Sequence, residues 1–132
     1  MRTAKDVEAY LGHMNRAYEA VAGQEGTFLV HTSGGMPPVA IRVDPPLVVF
    51  RVHIGDLPGE GATQVLLFRK LLELNAKTLV HTSFGLEDER IVQCSALELE
   101  NLDHNELEAT LDEFDLSLGQ QVPMLAELSK KK

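Results

Sequence analysis

Two hydrophobic periods alternate along this chain, and together they restrict it to a fold that mixes sheet and helix. Val39, Ile41 and Val43 alternate with Ala40, Arg42 and Asp44, and Leu47 to Ile54 follows as a second run rich in β-forming residues. A period of two is that of a strand with one buried face. Elsewhere the period becomes helical. Val7, Leu11, Met14, Tyr18 and Val21 recur at helical spacing, as do Leu67, Leu71 and Leu74, and then Leu107, Leu111, Phe114 and Leu118.

Local signals set the expected boundaries. Thr3 and Asp6 have capping-box spacing, so a first helix is expected over residues 4–22, stopped by Gly23. Strands are expected over 27–33, 39–44 and 47–54, separated by a turn at 34–38 and by Asp44-Pro45-Pro46. A second helix is expected over 62–74, then strands over 78–84 and 90–99. A third helix begins at the Asp103 and Glu106 cap and breaks or kinks between Gly119 and Pro123, because Pro123 has no N–H to offer the Gly119 carbonyl. Val122, Leu125 and Leu128 extend its apolar stripe beyond that point. The order is α-β-β-β-α-β-β-α, an α+β fold with an antiparallel five-stranded sheet packed with helices. With 132 residues and no linker, the chain is expected to be one domain over residues 1–132, its ordered core about 4–128. Leu-Val-His-Thr-Ser occurs at 29–33 and again at 79–83. The flanks differ, so chance similarity between two strands explains the repeat as well as duplication does.

Several function classes are disfavoured. Twenty acidic against twelve basic residues give a net charge of −8, which repels nucleic-acid phosphates. A single cysteine, Cys94, permits neither an intramolecular disulfide nor a cysteine-cluster metal site, and it is expected as a buried, inert thiol. The N-terminus is charged, and no apolar run approaches a membrane span, so a cytoplasmic setting without membrane association is expected. Lys130-Lys131-Lys132 is expected as a frayed, solvated end. No nucleophile elbow, glycine-rich phosphate loop or metalloprotease helix spacing is present, so no catalytic residue, cofactor or metal is assigned. His31, His53 and His81 fall at a parity that would put them on one sheet face, the basis of a remote metal-enzyme reading. Scattered polar residues are the plainer one.

The informative feature is the sheet face turned away from the helices. By strand parity it carries Leu29, Ala40, Arg42, Leu47, Val49, Arg51 and Leu79. That is many aliphatic side chains for a face open only to water. Leu29, Leu47, Val49 and Leu79 are expected to meet a partner polypeptide, with Arg42 and Arg51 meeting its carboxylates. The wide apolar surface of the second helix is the alternative contact, and a modestly apolar solvent face the simplest reading.

Leu71-Leu72-Glu73-Leu74-Asn75, Phe84-Gly85-Leu86-Glu87-Asp88, the capped start at Asp103 and the strand pair leading to Gly55-Asp56-Leu57-Pro58 resemble the YbjN-like and type III secretion chaperone-like (Tir chaperone, CesT-like) superfamily. The resemblance spans roughly residues 4 to 128. It implies an antiparallel sheet flanked by helices, often a homodimer, and for the secretion chaperones an acidic cytoplasmic protein that holds an extended client segment. The chain has no Trp, whereas secretion chaperones often carry one late in the chain, which favours the YbjN side. The expected function is a non-catalytic protein-binding module. A self-contained homodimeric regulator without a client is the alternative.

Overall fold

The computed structural model describes residues 1–32 and 36–130. The expected turn glycines Gly34 and Gly35, with Ser33, and the last two lysines lie outside them. Helix α1 spans Ala4–His13, and the Thr3–Asp6 capping box is formed in both directions. The strands β1 (Tyr18–Ala20), β2 (Thr27–Val30), β3 (Val39–Asp44) and β4 (Leu47–Asp56) follow. Helix α2 (Ala62–Lys77), strands β5 (Ser83–Glu87) and β6 (Arg90–Glu98), and helix α3 (His104–Lys130) complete the chain. The sheet is antiparallel throughout, in the order β1-β2-β3-β4-β6-β5.

All three helices pack on one side. Phe28, Val30, Val39, Ile41, Val48, Phe50 and Val52 point from the sheet onto Val7 and Leu11 of α1 and Leu107, Leu111, Phe114 and Leu118 of α3. A second cluster joins Leu67, Leu71 and Leu74 of α2 to Phe84, Ile91 and Leu125. Ile54 touches both clusters and links them. The parity read from the sequence for β2, β3 and β4 is the parity observed.

Three expectations need correction. The first helix stops at His13, nine residues early. Asn15 takes a left-handed backbone (φ 60°) and ends it, and Tyr18, expected on the helix, instead opens β1. The sheet therefore has six strands, not five. The segment 78–82 is not a strand, and β5 begins only at Ser83. Finally, α3 is one helix through Pro123, so of the kink or break expected there the break is absent. Val122 is anchored in the first cluster and Leu125 and Leu128 in the second, and that burial outweighs the hydrogen bond lost at the Gly119 carbonyl.

Candidate partner-binding surface

Among the described residues, no element covers the sheet face opposite the helices. Its side chains fall in rows that cross the sheet. One row runs Glu19, Leu29, Ala40, Arg51, Cys94, Ser83 across all six strands. The next holds Thr27, Arg42, Val49 and Ala96, and a third Asp44, Leu47 and Glu98. Leu29, Ala40 and Val49 are half-buried, and Leu47 is 36% exposed. Cys94 is half-buried on this face rather than sealed in the core. Of the outward-facing strand residues only Val92, beside His53 and Gly85, is buried.

Arg42 and Arg51 stand on the two central strands and line one shallow depression with Gln24, Thr27, Ala40 and Val49. Each guanidinium is tethered at its outer side, Arg42 by Asp44 at 3.3 Å and Arg51 by Glu87. Five of the six residues assigned to the partner surface from the sequence are thus brought together: Leu29, Arg42, Leu47, Val49 and Arg51. Leu79 is not among them. It lies in the α2–β5 connection and packs against the second core cluster, while its neighbour Val80 is 81% exposed.

The cause of that difference is a residue that no motif or spacing singles out. The Glu113 carboxylate on α3 accepts the backbone N–H groups of Val80 (2.7 Å), His81 (3.0 Å) and Thr82 (2.6 Å), and the Thr82 hydroxyl at 2.6 Å. These three N–H groups need no partner strand, so the segment is held as a loop. Gln93 Nε2 donates to Thr82 Oγ1, completing a buried relay from β6 to α3. Partial burial pushes the Glu113 carboxyl up, but the Thr82 hydroxyl and the three amides outweigh it, and its pKa lies below the ordinary glutamate value.

The three histidines do not converge. His31 lies beyond the end of β2, 3.6 Å from Glu19; His53 is on β4, 4.0 Å from Glu87; His81 is in the loop held by Glu113. Among the described residues no three His, Cys, Asp or Glu side chains stand together so as to hold a metal ion. No helix among them is long and apolar enough to cross a membrane.

A second apolar surface lies at the β5 edge of the sheet. Phe68, Leu71, Leu72, Phe84 and Leu86 line a groove between α2 and β5. Exposed Val65, one turn before Phe68 and two before Leu72, extends the same stripe of α2.

The family model CesT_Tir_1 matches residues 1–131. The chain belongs to the CesT/Tir chaperone family. This is a family of chaperones, not of catalysts, and solved structures share its fold. A chain of the heterodimeric ExoU–SpcU complex from the type III secretion system of Pseudomonas aeruginosa superposes with a TM-score of 0.69. The two are 16% identical, over 89% of this chain and 95% of that one. YbjN, a putative transcription regulator from E. coli, gives 0.62 at 10% identity over 88% of each chain. A chain from the complex of the Yersinia pestis secretion chaperone SycH with a fragment of YscM2 gives 0.60 at 17% identity, over 93% of this chain and 99% of that one. No curated protein sequence matches the chain. The family assignment falls on the Tir-chaperone branch of the resemblance, although the absence of Trp favoured the YbjN side; the likeness to YbjN is one of fold.

Proposed function

We propose that this chain is a non-catalytic binding protein that holds a polypeptide partner on the open face of its sheet. The observation that carries the reading is the placement of Leu29, Leu47 and Val49, with Arg42 and Arg51, on a six-stranded face from which all three helices are absent. Two of the similar solved structures are a chaperone in complex with a fragment of another protein and a chaperone–effector complex, which supports the same reading. Each aliphatic side chain covered contributes about 1–2 kcal/mol, so a segment lying across several of them is needed to offset the cost of ordering it. Leu79 is no part of this surface.

The test is reconstitution. A polypeptide captured by the tagged protein from its host lysate is purified separately and mixed with the wild type and with the Leu29→Glu/Val49→Glu double variant. Both positions are on the open face, so the variant is expected to fold normally, as circular dichroism checks. A defined complex with the wild type and none with the variant is the expected result. Equal complexes with both would remove the open face from the function.

A self-contained homodimer is the second reading, favoured by the α2–β5 groove. In that case the exposed Leu72 and Leu86 are buried against a second copy.

A further inference from the structure

We infer that the centre of the open face is a seat for carboxylates, and that the segment it receives is an extended one that turns both aliphatic and acidic side chains toward the sheet. The inference rests on the proposed polypeptide-binding role and specifies the chemistry of the partner.

The charges on this face are sorted by position. The two central strands carry Arg42 and Arg51, while Glu19 and Glu87 sit on the edge strands and Asp44 and Glu98 at strand ends. Arg42 faces Val49 directly and Arg51 lies two residues further along the same strand, a diagonal separation of about 7 Å. The two guanidinium groups therefore flank a floor made by Ala40 and Val49. Each makes one ionic contact among the described residues, Arg42 through Nη2 and Arg51 through Nη1. An arginine carries five N–H donors in a planar fork, so each retains a free edge, and the side chains remain 62% and 51% exposed. The cations of the seat are both arginines, the residue whose fork matches a carboxylate bidentately.

The chain as a whole is acidic, and the balance of distances decides which charge a bound segment feels. Glu19 is two strands from β3, about 10 Å, and at physiological salt exposed charges beyond about 8 Å are largely screened. Asp44 and Glu87 each occupy one edge of an arginine, and a partner carboxylate seated beside Val49 meets the remaining N–H donors of Arg42 or of Arg51. The half-open aliphatic residues beside them, Leu29, Leu47 and Val49, take the apolar positions of the same segment. A neutral segment would leave the fork edges covered without an acceptor, and a basic one would place like charges together.

The test uses three labelled nine-residue peptides with serine at every even position and, at the odd positions, valine taking turns with glutamate, serine or lysine, so that both kinds of side chain share one face of the extended peptide; binding is read by fluorescence anisotropy at physiological ionic strength. The glutamate peptide is expected to bind at least tenfold more tightly than the serine peptide, and the lysine peptide least. Arg42→Gln/Arg51→Gln is expected to erase the advantage of glutamate over serine, with the fold intact by circular dichroism. Leu29→Glu/Val49→Glu is expected to abolish binding of all three. If the glutamate and serine peptides bind the wild type equally and only the leucine–valine variant loses them, the carboxylate seat is wrong and the open face stands. If that variant retains the glutamate peptide, both readings fall. Tightest binding by lysine, or no binding by any of the three, overturns the carboxylate seat.

Discussion

Glu113 concentrates an unusual amount of local structure on one side chain, and its removal is expected to be felt beyond α3. Its carboxylate is the acceptor for three consecutive amides and a nearly buried hydroxyl. Glu113→Gln keeps the shape but turns one acceptor into an N–H₂ donor facing other donors, a loss of about 1–2 kcal/mol. The folded carboxyl ionises below the range of a free glutamate, about 4.3. Its contribution is therefore complete above that range and disappears as pH falls through the folded value. Denaturant titrations of both proteins should show the full gap at pH 7 and a shrinking one below about pH 4. A gap independent of pH would mean that shape rather than charge holds the loop. Arg16 is a second such residue. It is only 15% exposed and bridges the α1–β1 connection to Asp112 at 2.5 Å and Asp115 at 2.6 Å. Asp115 already has one buried oxygen without a partner, so Arg16→Ala is expected to cost about 2–3 kcal/mol by leaving that carboxylate uncompensated. Unchanged urea midpoints would refute it.

At the scale of elements, legibility followed burial. Strands β3 and β4 were readable because they alternate strictly, Val39 and Ile41 inward with Ala40 and Arg42 outward, and α2 and the first part of α3 because they bury one leucine stripe each. What failed was decided by single polar contacts or backbone states that periodicity does not encode. Tyr18 and Val21 continue the helical spacing of α1 by coincidence, and the left-handed backbone of Asn15 overrides it. Leu79 to Thr82 reads as a strand because its residues are β formers, yet Glu113, thirty residues away, supplies the hydrogen bonds a strand would have sought. The open face was legible for the same reason as β3 and β4. Its one wrong member, Leu79, came from the one strand placed wrongly. Helix α3 shows burial beating a strong local signal, and the cost it bears is measurable. A β-carbon at Gly119 would meet no atom within 4 Å, so Gly119→Ala should stabilise by about 0.5–1 kcal/mol. Pro123→Ala restores the missing donor to the Gly119 carbonyl and is expected to stabilise by up to about 3 kcal/mol, a rise of several degrees in Tm. A fall in Tm for Pro123→Ala would show that the proline's distortion is itself required to seat Leu125 and Leu128.

The molecule as a whole presents two apolar surfaces with different surroundings, and this difference predicts separate uses. The open sheet face mixes aliphatic residues with arginines and an acidic rim, as the proposed partner-binding role requires. The α2–β5 groove is almost wholly apolar, with Leu72 68% and Leu86 50% exposed beside an edge strand whose outer backbone groups have no partner strand among the described residues. An apolar groove beside an unpaired strand is a site for self-association. Two copies of charge −8 associate only where the contact excludes that charge, and here it does, because among the residues lining the groove none is charged. We therefore expect a dimer in light scattering at micromolar concentration, converted to monomer by Leu72→Glu and by Leu86→Glu. Both side chains are exposed, so neither change disturbs the core. The outer-face variant Leu29→Glu/Val49→Glu is expected to remain dimeric, since sites this far apart act independently. The reverse pattern, a monomer from the outer-face variant and a dimer from Leu72→Glu, would assign the open sheet to self-association and leave no surface for a client.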